Sequence, residues 1–326
     1  MQDRFQRQIN YLRISVTDRC NLRCVYCMPA EGVQCLPHSE ILTLEEIVDV
    51  VKAGVRVGIR KVRLTGGEPL LRRGILELIK KLSDIPEIDD IALTTNGILL
   101  GDMAKDLKVA GLKRVNISLD TLQPARFHRI TRGGNLNLVR RGIDAALENG
   151  LEPVKINTVA IRGFNDDELL ELARLSMELP LHVRFIELMP IGTSDDWSRE
   201  RFISTQEVKE LIGGALGNLE DEKVIAGSGP ARYSRLPGAP GTIGFISAVS
   251  NHFCATCNRL RLTATGQLRP CLFSGRETDL KQALRADAGP DELARIFQKA
   301  ILAKPDGHNM AVGWQKDDRI MSQIGG

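Results

Sequence analysis

The sequence predicts an α/β fold in which strands and helices alternate around a partial, TIM-like (βα)6 barrel. Three observations predict it: short β-branched runs recur between helical stretches, the strands carry one apolar and one polar face, and two groups of three cysteines flank the series. Serial strand–helix units build parallel sheets. A parallel sheet covered by helices on both faces reads as continuous apolar runs, whereas these strands alternate. A solvent-exposed sheet face is the plain explanation of that alternation. A curved sheet with helices outside and a polar interior that holds a ligand is favoured over it. Complete barrels fill their interior with branched apolar side chains, so this barrel is expected to be open.

Each element has a local cause. The first run, 11–16, sets Leu12, Ile14 and Val16 against Arg13, Ser15 and Thr17. A helix is expected from Thr43, where Glu46 completes a capping-box pattern and Ile47, Val50, Val51 and Val55 keep helical spacing. The second strand, 61–64, sets Val62 and Leu64 against Lys61, Arg63 and Thr65. A second helical pattern joins Leu71, Ile75, Leu78, Ile79 and Leu82. Further strands are expected at 91–95 and 114–119, the latter with Val115, Ile117 and Leu119 opposite Arg114, Asn116 and Ser118. Runs at 154–161 and 183–188 complete the six, with Lys155 and Asn157 continuing the polar face. Glycine-rich 213–217 and the stretch 227–244, with Pro230, Pro237 and Pro240, then read as a loop-rich extension. The expected division is 1–217 and 218–326, with no solenoid repeat.

Composition narrows the partners. The 326 residues are 43% hydrophobic and 26% charged, an ordinary globular balance. Lys and Arg number 44 against 41 acidic residues, and the net charge of +3 excludes a polybasic nucleic-acid binder but not a local basic pocket. No apolar run approaches the ~18 residues of a membrane span, so neither nucleic acid nor membrane is an expected partner. Residues 1–10 carry Arg4 and Arg7 without an apolar signal core, and a cytoplasmic location is expected. Cytosolic thiols stay reduced, so six of the seven cysteines, in two groups of three, read as ligands rather than disulfides, and Cys35 as a spectator or core thiol.

Cys20, Cys24 and Cys27 stand directly after the first strand with the spacing C-x3-C-x2-C. Three thiolates hold three irons of a cubane and leave the fourth iron open to a substrate or cofactor. Structural zinc, with His38 as a distant fourth ligand, and an electron-transfer cluster are the alternatives on spacing alone. Cys254, Cys257 and Cys271 have the spacing C-x2-C-x13-C. Taken locally, a zinc ribbon completed by His252 or His308 is the alternative to a cluster. Arg259 and Arg261 come next to Cys257, spaced to point the same way from a strand as a fork for phosphate oxygens. An isolated arginine pair is ordinarily a solvated surface feature.

The first triad, with Tyr26 before its last cysteine, resembles the signature of radical S-adenosylmethionine enzymes. Thr65-Gly66-Gly67-Glu68-Pro69 resembles their glycine-rich motif, and glycine there would let a strand-end backbone approach a ligand closely. The segments Leu12–Cys20, Leu93-Thr94-Thr95-Asn96-Gly97, Asn116-Ile117-Ser118-Leu119-Asp120, Arg184-Phe185-Ile186-Glu187-Leu188-Met189-Pro190 and terminal Ile324-Gly325-Gly326 narrow the resemblance. Together they resemble the GTP 3′,8-cyclase family of molybdenum cofactor biosynthesis.

That resemblance implies a radical S-adenosylmethionine core and two [4Fe–4S] clusters, one on each triad, with S-adenosylmethionine on the first. It implies S-adenosylmethionine contacts at Tyr26, Gly67, Ser118 and Met189. It implies GTP contacts at Arg13, Lys61, Arg63, Thr94, Lys155, Arg184, Arg259 and Arg261, and a catalytic tail at Gly325 and Gly326. The reaction implied removes the ribose 3′ hydrogen of GTP and joins C3′ to C8 of guanine. An external one-electron reductant and a downstream cyclic pyranopterin monophosphate synthase are the implied partners, and the resemblance leaves assembly, a homodimer included, open. The rival readings are a radical enzyme for another nucleotide or a peptide, and a non-enzymatic metal module.

Overall fold

Parallel strands form where the alternating runs stand: β1 (Tyr11–Ser15), β2 (Lys61–Thr65), β3 (Asp90–Thr95), β4 (Arg114–Ser118), β5 (Lys155–Ala160) and β6 (His182–Glu187). The computed structural model describes residues 1–189, 199–222, 229–273, 275–308 and 324. Between the strands lie α1 (Leu44–Arg56), α2 (Ile75–Ser83), α3 (Leu100–Val109), α4 (Pro124–Thr131), α5 (Leu136–Glu148) and α6 (Leu169–Glu178). Thr43 does cap α1: its hydroxyl accepts the Glu46 N–H, and the Glu46 carboxylate accepts the Thr43 N–H. Leu71 falls outside α2, in a short 3-10 turn, because Gly74 in the left-handed region (φ 80) starts the helix after it.

The region past residue 217 is less loop-rich than its glycines suggest. After α7 (Thr205–Leu216) come β7 (Glu220–Glu222), β8 (Arg232–Arg235), β9 (Thr242–Ile246), β10 (Arg259–Leu262), β11 (Gln267–Arg269) and β12 (Thr278–Asp279), then α8 (Lys281–Arg285) and α9 (Pro290–Leu302). These strands lengthen both edges of the same sheet, whose order is β12-β11-β10-β1-β2-β3-β4-β5-β6-β9-β8-β7. β10 runs parallel to β1 and β9 parallel to β6, while the outer strands are antiparallel. The end strands β12 and β7 do not meet among the described residues, so the sheet is open.

The apolar strand faces, including Leu12, Ile14, Val62, Leu64, Val115, Ile117, Ile156 and Val183, are fully buried in one core. The polar faces are buried as well: Asn116 is 0%, Lys155 2%, Arg184 3% and Arg63 5% exposed. A solvated sheet face is therefore ruled out. The polar face lines an interior around which the sheet curls.

Buried carboxylates stitch the strand ends to neighbouring loops. Glu68, after β2, accepts from Leu70 N at 3.1 Å, Asn96 N at 2.8 Å and Thr95 Oγ1 at 2.8 Å. Glu187, ending β6, accepts from Thr205 N at 3.0 Å, Val249 N at 2.8 Å and Ser250 N at 2.9 Å. No described helix is long and apolar enough to cross a membrane. Removing the Glu187 carboxylate strands these three backbone donors, each at a cost of about 1–3 kcal/mol when buried. Glu187→Ala should therefore lose about 3 kcal/mol or more in urea unfolding, with Glu187→Gln between it and wild type. A loss under about 1 kcal/mol would mean that the junction is held by other contacts.

Candidate active site

Strand direction sets the site. Cys20, Cys24 and Cys27 follow the C-terminal end of β1. Cys254 and Cys257 precede the N-terminal end of β10, which is parallel to β1, and Cys271 follows β11, antiparallel to β10. The two triads therefore face each other from opposite ends of the interior. Five residues of β1 separate them, roughly 16 Å at ~3.3 Å per residue. One cavity of about 390 Å³ is lined by all six of these cysteines. Neither triad gathers three Sγ atoms within the 4.8 Å mutual spacing that marks a single-ion site. The thiolates of a cubane sit on different irons, so a cubane does not require them to meet on a single ion.

At the first end the chain packs backbone on backbone. Gly67 N donates to Thr17 O at 2.8 Å and Glu68 N to Arg19 O at 2.7 Å. A Cβ on Gly66 would stand 2.5 Å from Thr17 O, and one on Gly67 2.2 Å from Arg19 O. The glycine pair thus serves the approach of the cysteine loop to the end of β2. Tyr26, Gly67, Ser118 and Met189 all line the cavity. The Tyr26 hydroxyl donates to the Asp120 carboxylate, whose other oxygen accepts from Val159 N at 2.9 Å. Burial pushes the Cys20 thiol up and the Cys24 thiol well up, so metal ligation here releases protons.

The middle of the cavity is cationic. Arg261, Arg13 and Arg63 stand in register on β10, β1 and β2. Burial pulls Arg63 and Arg261 each down to about 10. Tyr11 and Asp90 answer Arg63 and Arg114 respectively. Arg184 Nε and Asn157 Oδ1 are buried without a hydrogen-bond partner. Of the expected substrate contacts, Arg13, Arg63, Thr94, Arg184, Arg259 and Arg261 line the cavity. Lys61 and Lys155, at the N-terminal ends of β2 and β5, do not. Lys155 is buried with its amine 5.6 Å from the Tyr233 ring centroid. Burial, then Arg184, Arg114 and Arg63, takes it down to about 6.

At the second end two buried cations hold the loops that carry the cysteines. Arg7 pairs with Asp3 at 2.6 Å and donates to Cys254 O at 2.8 Å, Asp306 O at 2.7 Å and Pro305 O at 2.6 Å. Lys304 donates to Arg259 O at 2.9 Å and Pro270 O at 2.6 Å. Burial would raise the Cys257 thiol, but Arg259 and Lys304 outweigh it and bring the thiol down to about 6. Arg259 also stands 4.7 Å over the Phe253 ring, and Arg261 is buried, so the pair is no surface feature. Gly325 and Gly326 lie outside the described residues. Cys35 is exposed and off the cavity. Sequence reasoning missed Lys304 and gave Arg7 no part in the site; Asn157 stood on the polar face and Asp120 at the end of the Asn116–Asp120 segment, each without a role.

Known proteins match this chain in sequence along its length. The profile of the Radical SAM superfamily matches residues 14–176, and that of Molybdenum Cofactor Synthesis C matches 181–310. The GTP 3′,8-cyclase of Pelotomaculum thermopropionicum is 61% identical, that of Desulforamulus reducens 58%, each over 326 residues covering 100% of both chains.

The chain belongs to the GTP 3′,8-cyclase family.

In fold alone it also resembles Streptococcus suis SuiB bound to precursor peptide SuiA. There the TM-score is 0.57 at 14% identity, covering 93% of this chain and 72% of that one. Membership of the radical S-adenosylmethionine superfamily brings a [4Fe–4S] cluster and S-adenosylmethionine, and the first triad fits them in donor chemistry, three thiols on one loop lining one cavity. For this cyclase, Gly67→Ala drives a Cβ into the Arg19 carbonyl. It should cost more than about 2 kcal/mol of stability and most S-adenosylmethionine binding. Gly275→Ala, which meets nothing within 4 Å, should change neither in thermal melts and ligand titration. Equal behaviour of the two variants would refute the packing role of Gly67.

Proposed function

We infer that the chain, by family a radical S-adenosylmethionine GTP 3′,8-cyclase of molybdenum cofactor biosynthesis, divides its work between the two ends of the cavity. Cys20, Cys24 and Cys27 hold a [4Fe–4S] cluster with one open iron, and Tyr26, Gly67, Ser118 and Met189 hold S-adenosylmethionine against it. Bound there, the pair supplies a 5′-deoxyadenosyl radical able to take hydrogen from a ribose. Cys254, Cys257 and Cys271 hold a second [4Fe–4S] cluster, whose open position receives the guanine. The observation that carries this reading is the row of arginines in the one cavity joining both triads.

GTP lies along that interior against Arg13, Arg63, Thr94, Arg184, Arg259 and Arg261, and Lys61 and Lys155, which do not line the cavity itself, add their charge from the N-terminal ends of β2 and β5. Guanidinium forks suit phosphate oxygens, and the triphosphate offsets the mutual repulsion of the arginine row. Asn157 Oδ1 and Arg184 Nε, both without partners, are available to orient the ribose or base. Residues 1–217 form the radical-generating core and 218–326 the substrate-binding region, with Gly325 and Gly326 given a catalytic role by the family resemblance. An external one-electron donor supplies the core, and the product passes to a cyclic pyranopterin monophosphate synthase.

The test is anaerobic incubation with S-adenosylmethionine, dithionite and GTP, followed by mass analysis. Wild type should give 5′-deoxyadenosine together with cyclised nucleotide. The Cys254→Ala/Cys257→Ala/Cys271→Ala variant should still release 5′-deoxyadenosine but form no cyclised nucleotide, and a wild-type yield would sink this division. Arg261→Ala and Arg259→Ala each remove a charge-assisted contact of about 1.5–3 kcal/mol. Calorimetric titration should find GTP bound roughly ten- to more than hundredfold more weakly. Lysine at either position should recover part of the loss. Unchanged affinity in both alanine variants would take the arginines out of the site.

A further inference from the structure

Beside the second triad lies a different convergence of ligands. His252, Cys254 and His308 bring one ligand atom each within 4.8 Å of one another, the one such group among the described residues. His308 Nε2 stands 2.9 Å from the Ala248 carbonyl oxygen. That contact requires the proton on Nε2 and leaves a lone pair on Nδ1. Nδ1 is buried with no hydrogen-bond partner. A histidine ligand commonly presents one nitrogen to its metal while donating the other N–H to a carbonyl, and His308 already has that posture. The His252 ring meets it edge-on at 4.9 Å. A second pocket, lined by Arg4, Phe273, Gly307 and His308 among others, reaches the group from the side of the N-terminal segment.

We propose that His252, Cys254 and His308 form a mononuclear site for a thiophilic divalent ion of the zinc class, with a fourth position open to water. Imidazole and thiolate ligands at this spacing suit zinc, and ligation releases the Cys254 thiol proton. Cys254 cannot serve this ion and a cubane together. Zinc and the second cluster therefore exclude each other, and an ion seated here keeps the second triad from being filled. The competition, unlike the site itself, rests on the second triad holding a cluster.

The site is tested in the full chain, freed of iron and carrying Cys20→Ala/Cys24→Ala/Cys27→Ala so that the first triad binds nothing. Anaerobic titration with cobalt(II) should give tetrahedral d–d bands with thiolate charge-transfer absorption. His308→Ala and His252→Ala should each weaken binding by about tenfold or more, since even outer-shell partners commonly carry that much. Cys257→Ala and Cys271→Ala should leave it unchanged. If instead those cysteine variants lose the bands and the histidine variants keep them, the ion sits on the triad and the proposal fails. His252 is exposed, so its substitution reads ligation even if His308→Ala disturbs the loop. Iron–sulfide reconstitution with added zinc then tests the competition. Wild type should lose iron at the second triad, and His308→Ala should regain it. Zinc-independent iron loading would overturn the exclusion while leaving the site standing.

Discussion

The interior of this protein is organised around a row of buried positive charge. Arg261, Arg13 and Arg63 stand in one register on adjacent strands. Two unit charges ~5 Å apart repel by roughly 3 kcal/mol at an effective dielectric near 20. Asp90 answers Arg114, and Tyr11 bonds Arg63, yet burial still pulls Arg63 and Arg261 down to about 10. The opposite faces of the same strands are fully buried aliphatic residues under helices. Burial at about 25 cal/mol per Å² of apolar surface is what lets the sheet hold a polar, cation-rich side at all. The alternation along each strand is therefore one device: one face supplies stability and the other the site.

Direction does the rest. Had β10 joined β1 antiparallel, Cys257 would stand beside the first triad and the arginine row would be cut. Parallel pairing instead sends the second triad to the far end, so that the cations lie between the two cysteine triads. The ends are held differently. At the first, bare glycine backbone packs on the cysteine loop, with Thr17 and Arg19 carbonyls accepting from Gly67 and Glu68. At the second, Arg7 and Lys304 gather carbonyls from segments far apart in sequence. The N-terminal segment is thus part of the wall around the C-terminal cysteines.

How much of the molecule is legible in its residues depends on how local each cause is. Period-two alternation and the Thr43–Glu46 capping box are local, and the strands β1 to β6 and helix α1 stand where they predicted. β7 to β12 are only two to five residues long, too short for a period to emerge between glycines and prolines. Both triads were legible because ligand spacing is itself sequential. Arg7 was not, because its contact with Cys254 spans 247 residues. Lys155 was legible as a cation on a polar face, but its place beside Tyr233 depends on β8 pairing with β9 and β9 with β6.

The likeness to SuiB shows how much of this belongs to the fold and how much to the side chains. At 14% identity and a TM-score of 0.57 the two chains share a backbone path, and a shared path does not fix a shared substrate. A backbone path can place a cysteine loop after the first strand and bare glycines after the second. It cannot place guanidinium groups, because any residue that suits a strand satisfies the same ladder. On the function proposed above, choice of substrate is written where the fold is indifferent, in the inward positions 13, 63, 184, 259 and 261. Those positions are filled with the residue that costs most to bury alone. A polyanionic ligand is what makes that choice intelligible.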